Sequence, residues 1–207
     1  IEWALAFSSI LKNVPYETEV LVSKHYLISQ ARNQLVIAAR NVNANYLFFL
    51  DSDIIPCIYE NGKYYLFNQV IQFMLNWNYP VVSGLYFSKK GNVAAYKYVG
   101  EPKLFEPLNF EDLFNKIAFV DGIGLGCALI NMKVFDILEK KGLIPWFEYR
   151  IEWEKSNVKR EVSEDLDFCL KLKEAGFGIM LLGQIVCKHE LNSFLLPDGK
   201  IEYSILA

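Results

Sequence analysis

Two acidic residues, Asp51 and Asp53, follow directly on an apolar segment formed by residues 45–50. An apolar and aromatic run of this length predicts a strand buried on both faces, and open α/β sheets bind ligands at the carboxyl ends of such strands. Side chains two apart on a strand share a face, so both carboxylates can point at one ligand. Carboxylate oxygens suit Mg²⁺ or Mn²⁺ holding a phosphate-rich substrate. The alternative is that both acids only end the strand and begin a turn, which Pro56 favours.

The composition of the 207-residue chain predicts one globular domain over residues 1–207. Hydrophobic residues make up 53% and aromatic residues 15%, which favours a packed core and argues against a disordered chain. The formal net charge is −3, with charges of both signs interspersed along the sequence. Because electrostatic binding of nucleic acid needs a basic face, we expect no nucleic-acid partner.

The cysteine pattern and the hydropathy bear on the compartment. The four cysteines are far apart and form no Cys-x-x-Cys pair; they are Cys57, Cys127, Cys169 and Cys187. Dispersed single cysteines are typical of reduced core residues in an intracellular protein, while spacing alone leaves disulfides open. No apolar run approaches the roughly 20 residues of a membrane helix, and no signal-peptide pattern is present. We therefore expect a soluble cytoplasmic domain, either free or resting on a membrane surface.

The apolar periodicity predicts a strand, a helix and a strand before Asp51. Residues 1–7 have the mixed apolar pattern of a first strand, and residues 29–41 carry apolar side chains at helical spacing. That helix leads into the strand at 45–50, which gives the βαβ unit of a parallel sheet. The further predicted elements are strands over 19–22, 80–87, 92–99 and 178–182 and helices over 65–77 and 133–141.

The last third of the chain is predicted to hold a loop and a capped helix. Residues 145–162 mix charges and aromatic side chains without a clean period, which predicts a long mobile loop of the kind that forms lids. Ser163 then caps a helix whose first turn holds Glu164 and Asp165, a favourable place for negative charge, and Gly176 ends it. Together these elements predict a single α/β domain.

Four sequence blocks in this order resemble the nucleotide-sugar glycosyltransferases of the GT-A fold, close to the large family 2-like group. The blocks are Ala31-Arg32-Asn33, the DxD-like Leu50-Asp51-Ser52-Asp53, the glycine-rich segment 122–130, and the ED-like segment 163–169, with His189 following after a strand. Their joint order spans nearly the whole chain. The resemblance implies a Rossmann-like three-layer sandwich with a mostly parallel mixed central sheet, and a hexosyltransferase type of activity.

The resemblance also implies a metal and a donor site. Mn²⁺ or Mg²⁺ would bind Asp53, with Asp51 and His189 as further metal residues, and would hold the diphosphate of a nucleotide-sugar. Arg32, Asp51, Ser52 and Asp53 would bind this donor. Arg32 could instead pair with Asp51 or form an ordinary ion pair on the helix surface. Ser8 would lie at the base-binding end of the first strand, where Ser8-Ser9 replaces the usual Pro-Thr. A lone histidine near a strand end is otherwise an ordinary core or surface residue.

The acceptor side follows from the same resemblance. Asp165 would be the general base that takes a proton from a carbohydrate, lipid or protein hydroxyl, as in inverting members, and Glu164 would orient the acceptor. Gly122, Gly124 and Trp146 would line the acceptor side. Each has a structural alternative: acids in a first helical turn stabilise the helix dipole, glycines form tight turns, and an aromatic residue anchors a loop.

Two other classes of protein are compatible with parts of the pattern. A haloacid dehalogenase-like phosphatase also carries an acidic pair after a buried strand, but its Thr four residues after the first Asp is here Ile55. A glycosyltransferase-like module without turnover would bind a sugar or a partner protein; the presence of Asp51, Asp53 and Asp165 argues against it. Metal-dependent nucleotide binding separates these classes.

Overall fold

The computed structural model describes residues 2–23, 27–89, 91–154, 157–190, 194–195 and 201–202. Its helices are α1 (Glu2–Lys12), α2 (Ile28–Asn41), α3 (Val70–Leu75), α4 (Phe110–Leu113), α5 (Met132–Lys140) and α6 (Glu164–Ala175). Its strands are β1 (Tyr46–Leu50), β2 (Ile54–Glu60), β3 (Lys63–Leu66), β4 (Val81–Leu85), β5 (Ala95–Gly100), β6 (Leu104–Pro107), β7 (Ile117–Val120), β8 (Gly122–Ile123), β9 (Cys127–Asn131), β10 (Arg150–Glu154), β11 (Asn157–Val162), β12 (Ile179–Glu190), β13 (Phe194–Leu195) and β14 (Ile201–Glu202).

The protein has a mixed α/β fold built on one large sheet. Strands β1, β9, β4 and β12 lie side by side in that order, and β12 also pairs with β2 and β7. β1 and β4 run in the same direction, but β9 lies between them and is antiparallel to both. Among the described strands only β4 and β12 pair in parallel, so the predicted mostly parallel sheet is not found.

Strand β1 occupies an edge of this sheet. The Asp51 amide donates to the Gly126 carbonyl (3.0 Å) and the Met132 amide to the Asn45 carbonyl (2.9 Å), which sets the hydrogen-bonding phase of β1 against β9. Because hydrogen-bonded positions alternate in an antiparallel pair, the backbone groups of Tyr46, Phe48 and Leu50 point away from β9. These three residues line a groove of about 1310 Å³ together with residues of α1, α2 and the segment 16–23.

Helix α2 confirms the predicted helix over 29–41 and explains the position of an arginine. Its buried residues are Arg32, Val36 and Ala39, which are spaced by four and then three. This spacing places them on one face of a helix. Arg32 is therefore carried into the interior by the same periodicity that buries Val36 and Ala39.

The amino-terminal segment differs from its prediction. Residues 2–7 belong to α1, so the predicted first strand over 1–7 is wrong for the described residues, and no βαβ unit precedes β1. Trp3, Ala6 and Ile10 recur at helical spacing, and Ala6 and Ile10 are buried. Residues 19–22, predicted as a short strand, have no regular secondary structure.

Two later predictions also change. Residues 145–162 contain the antiparallel hairpin β10–β11, because apolar and charged residues alternate over 150–154 as they do in half-exposed strands. The predicted mobile loop is therefore wrong for most of this segment. The helix predicted over 65–77 shrinks to α3, since residues 63–66 pair with β2 as β3.

Candidate functional site

The turn after β1 separates the two acids of the DxD-like block. β1 ends at Leu50, and the amide of Ile54 donates to the carbonyl of Asp51 (3.0 Å) to close a turn over 51–54. Asp51 and Asp53 therefore do not continue the strand, and the predicted sharing of one strand face does not hold. Ser52 lies exposed between them at the turn. Each acid contacts a different set of cations.

Asp51 belongs to a cluster of three carboxylates around the buried guanidinium of Arg32. Arg32, only 3% exposed, has its Nη2 at 3.3 Å from Oδ2 of Asp51, and its Nε lies 3.3 Å from Oδ1 of Asp165 and 3.6 Å from Oε1 of Glu164. Burial by itself lowers the pKa of Arg32, but the carboxylates of Asp165, Asp51 and Glu164 outweigh it and raise that pKa. The cluster thus joins the turn after β1 to the first turn of α6.

This cluster shows Arg32 in the alternative role expected for it, as the partner of Asp51. Its guanidinium is already engaged by protein carboxylates, and its plane lies over the ring of Phe49 at 5.2 Å. In this conformation Arg32 positions acids rather than presenting a free cation to a ligand. Ser8, the other predicted donor residue, is exposed on α1, and the strand end on which that prediction depended does not exist.

Helix α6 presents Asp165 through a local cap that the sequence predicts. The Ser163 hydroxyl accepts from the Leu166 amide (3.4 Å), and Gly176 closes the helix in the left-handed conformation. Oδ2 of Asp165 accepts from the Leu125 amide (3.3 Å). Oδ1 is buried and, among the described residues, accepts no hydrogen bond, although Arg32 Nε lies 3.3 Å away.

The pKa of Asp165 is unusually high for a carboxyl group. Burial raises its pKa to about 6, the attraction of Arg32 opposes this, and the neighbouring Glu164 adds to it. The side chain remains 21% exposed, although Oδ1 itself is buried. A carboxyl group with a pKa near 6, a partly exposed side chain and a fixed orientation has the properties of a general base.

Asp53 contacts two basic groups through one oxygen. Lys89 Nζ lies 2.8 Å and His189 Nε2 lies 3.3 Å from its Oδ2. His189 comes beside Asp53 because β12 pairs antiparallel with β2, in a register that places His189 opposite Ile54. The hydrogen bond from His189 lowers the pKa of Asp53 to about 2, with burial opposing it and Lys89 assisting. The Asp53 carboxylate is therefore ionised at any physiological pH.

The second nitrogen of His189 fixes its ring. Nδ1 lies 2.7 Å from the carbonyl oxygen of Phe87 and donates to it, which turns Nε2 towards Asp53. Burial lowers the pKa of His189, but its hydrogen bonds to Asp53 and Phe87 outweigh that effect and raise it. Histidines that bind metals commonly hold their other ring nitrogen in this way, against a backbone carbonyl.

The residues of this site fit a divalent cation only in part. Carboxylate and imidazole ligands suit Mn²⁺, and the lone pair of His189 Nε2 is directed to Asp53 once its proton leaves. Within the described ranges, no group of three or more His, Cys, Asp or Glu side chains could hold a metal ion. A cation at Asp53 and His189 would therefore need oxygens from phosphate and water, which is how Mg²⁺ is usually bound beside nucleotides.

The glycine-rich segment packs against protein side chains. A Cβ on Gly124 would lie 2.1 Å from the Tyr86 hydroxyl, and a Cβ on Gly126 would lie 2.9 Å from Ile54. Tyr86 is buried, and its hydroxyl accepts from the Gly126 amide (3.0 Å). The glycines thus allow Tyr86 to lie under the segment. Sequence reasoning missed Tyr86, because a tyrosine among apolar strand residues carries no distinctive signal.

Two residues predicted on the acceptor side are core residues here. Gly122 is buried, and a Cβ there would meet Phe105 at 3.0 Å. Trp146 is 7% exposed, and its indole Nε1 donates to the Phe135 carbonyl (3.1 Å). Both therefore serve packing.

Asn33, next to Arg32 on α2, fixes the backbone at Phe147. Its side chain donates to the Phe147 carbonyl (2.7 Å) and accepts from the Phe147 amide (3.2 Å).

The cysteines and helices agree with two sequence expectations. All four cysteines are buried and none forms a disulfide, as expected of reduced core residues. Burial raises the pKa of Cys169 to about 12, so this thiol is no nucleophile at neutral pH. Of the helices in the described residues, none has the length and apolar character needed to cross a membrane.

Comparisons with known proteins bear on the fold. No protein-family model and no curated protein matches the chain. Among solved structures the chain is similar to the crystal structure of A197 from STIV, with a TM-score of 0.58 and 19% sequence identity. The match covers 96% of this chain and 86% of that one. At this identity the similarity concerns the fold alone.

Proposed function

We propose that the protein is a metal-dependent, inverting glycosyltransferase that moves one sugar from a nucleotide-diphospho-sugar to a hydroxyl of a carbohydrate, lipid or protein acceptor. One observation carries the proposal: Arg32 lies 3.3 Å from both Asp51 and Asp165, which brings the DxD-like and ED-like blocks into one site. The proposed general base, Asp165, then lies beside the turn after β1, where the diphosphate would bind. The order of the four blocks supports a GT-A type of α/β fold.

Asp165 is the proposed general base. Its carboxylate takes the proton of the acceptor hydroxyl. The hydroxyl oxygen bonds to the anomeric carbon as the bond from this carbon to the phosphate oxygen breaks. The pKa of about 6 leaves Asp165 mostly ionised at pH 7 yet basic enough to take a proton. The Leu125 amide orients the carboxylate, and Arg32 keeps it beside Asp51.

Asp53 and His189 are the proposed cation ligands. A Mn²⁺ or Mg²⁺ ion held there would act as a Lewis acid towards the charge that develops on the departing nucleoside diphosphate. The residues themselves contribute an ionised carboxylate and an imidazole fixed by the Phe87 carbonyl. Asp51, held by Arg32, lines the same turn.

The test is thermal unfolding with Mn²⁺ and a panel of UDP-, GDP- and dTDP-sugars, because a ligand that binds the folded form raises Tm. We expect at least one donor to raise Tm only when Mn²⁺ is present. Asp53→Asn removes an ionised ligand and should abolish that shift. Asp112→Asn, which alters an exposed acid on α4, is the matched control and should keep it.

Other outcomes identify the rival classes. Hydrolysis of a generic aryl phosphate that depends on Asp51 would replace the proposal with a phosphatase. Binding of a donor without transfer to any acceptor, together with no release of free sugar, would replace it with an inert module. Absence of any metal-dependent shift across the panel would contradict the proposal directly.

A further inference from the structure

Lys89 is a charged residue beside the proposed cation site. From the sequence, Lys89 and Lys90 could steer an anionic donor, although a charge pair after a strand is usually only solvated. Its ammonium lies 2.8 Å from Oδ2 of Asp53, the same oxygen that His189 Nε2 approaches at 3.3 Å. A divalent cation that bridges His189 Nε2 and the nearer Asp53 oxygen would meet the Lys89 ammonium at this oxygen. Such an ion cannot share the oxygen with a neighbouring ammonium, because like charges in close contact repel.

The backbone that carries Lys89 is fixed, although its side chain is not. Ser88 and Asn92 are joined by a hydrogen bond from the Ser88 amide to the Asn92 carbonyl (2.7 Å), and Phe87 pairs with Val93. Phe87 also accepts the hydrogen bond of His189 Nδ1. The base of the Lys89 side chain is therefore anchored two residues from a contact that orients His189.

The Lys89 side chain itself can exchange partners. It is 63% exposed, whereas the side chain of Arg32 in the neighbouring cluster is 4% exposed. An exposed ion pair contributes only about 0–1 kcal/mol, and a lysine ammonium sits on a flexible four-carbon stem. Water or a divalent cation can displace it from Asp53 at little cost.

We propose that Lys89 is a diphosphate-binding residue that occupies Asp53 until a divalent cation takes its place. The displaced ammonium then binds a phosphate oxygen of the nucleoside diphosphate held by that cation. Charge supports this exchange, because a cation added beside Lys89 and His189 leaves the site with excess positive charge, which the diphosphate neutralises. This inference rests on the proposed glycosyltransferase function and adds a specific residue to its donor site.

The proposal predicts effects of opposite sign in one variant. Lys89→Gln removes the competing ammonium, so the Kd for Mn²⁺ alone, measured by electron paramagnetic resonance, should fall about two- to fivefold. The same variant loses a charge-assisted hydrogen bond to phosphate. With Mn²⁺ saturating, the Kd for UDP, GDP or dTDP, whichever binds the wild type, should rise about tenfold.

Two further variants make the result specific. Lys89→Arg keeps a cation at the site and should retain nucleotide binding within a fewfold of wild type. Lys63→Gln removes an exposed lysine on β3 and should change neither affinity. A purely structural role for Lys89 would weaken both binding steps in Lys89→Gln, and that result would overturn the proposal.

The remaining outcomes separate the two hypotheses. If the wild type binds Mn²⁺ and a nucleoside diphosphate but Lys89→Gln matches it in both, the Lys89 assignment is wrong and the glycosyltransferase proposal stands. If the wild type binds no nucleoside diphosphate in the presence of Mn²⁺, both fail together.

Discussion

Asp51 and Asp53 are two residues apart, yet they lie in opposite electrostatic surroundings. Asp51 pairs with Arg32, a buried cation that also holds Asp165, and burial raises the Asp51 pKa although Arg32 opposes the shift. Asp53 pairs with His189 and the exposed Lys89, and its pKa falls to about 2. Asp51 is part of a fixed framework that consists of Arg32, Asp51, Glu164 and Asp165. Asp53 contacts an exposed cation that can be exchanged.

The difference shows that two neighbouring acids in one short turn can have different roles. A buried guanidinium with three carboxylates has little freedom to leave, because each unpaired charge would be stranded in the interior. A carboxylate contacted by an exposed ammonium can trade it for a metal ion. The first arrangement positions a base, and the second prepares an anion-binding site.

The largest expected effect lies on the framework side. Asp165→Asn removes the proposed base, so sugar transfer should fall about 10²–10⁴-fold, the usual contribution of general base catalysis. Donor binding should stay within a fewfold, because Asp53, His189 and Lys89 are untouched. Initial rates with saturating donor, together with donor Kd, measure both. Full activity in Asp165→Asn would show that the framework only supports the fold.

The two regions should also differ in how much they contribute to the stability of the fold. Arg32→Met strands three carboxylates and should lower the free energy of unfolding by about 3–5 kcal/mol, the cost of breaking a buried ion pair. Lys89→Gln breaks an exposed pair and should change it by less than about 1 kcal/mol. Urea unfolding at pH 7 measures both values. Equal losses would contradict the distinction between fixed and exchangeable cations.

The smallest effect is the pH dependence of stability. Asp165, with a folded pKa of about 6 against about 3.9 when unfolded, binds more protons in the folded state between those pH values. Its stabilisation is complete below about pH 4 and is lost as pH rises through 6. Asp53, with a folded pKa of about 2, has the opposite sign: its contribution is present above about pH 4 and is lost as pH falls through 2.

Two variants separate these contributions. The Tm of Asp165→Asn relative to wild type should rise by a few degrees as pH goes from 4 to 7. The Tm of Asp53→Asn relative to wild type should rise as pH falls from 4 towards 2. Differential scanning calorimetry at matched ionic strength measures both. A flat difference for Asp165→Asn would contradict the raised pKa.

Local rules predicted the elements whose signals lie within a few residues. Ser163 and Gly176 bound α6 through side-chain and left-handed caps, and the apolar run before Asp51 forms β1. The spacing of Trp3, Ala6 and Ile10 also carried a helical signal for α1, although the short apolar run resembled a strand. Alternation over 150–154 carried a strand signal for β10 as well, although the segment 145–162 as a whole showed no clean period and was predicted as a loop.

Features that depend on distant pairing could not be predicted. The insertion of β9 between β1 and β4 decides that the sheet is mostly antiparallel, and no local pattern encodes it. The contact of Arg32 with Asp165 depends on packing α2 against the start of α6. Similarly, His189 reaches Asp53 only because the register of β12 on β2 places His189 opposite Ile54.

The outward-facing backbone of β1 has a consequence for assembly. Tyr46, Phe48 and Leu50 direct amide donors and carbonyl acceptors into a groove of about 1310 Å³, and within the described residues β1 pairs with β9 alone. Such an edge is a template for strand addition, and proteins usually blunt it with charge or proline. None of the five β1 residues is charged or proline. The sheet therefore retains the capacity to lengthen by one more strand, directly beside the turn that carries Asp51.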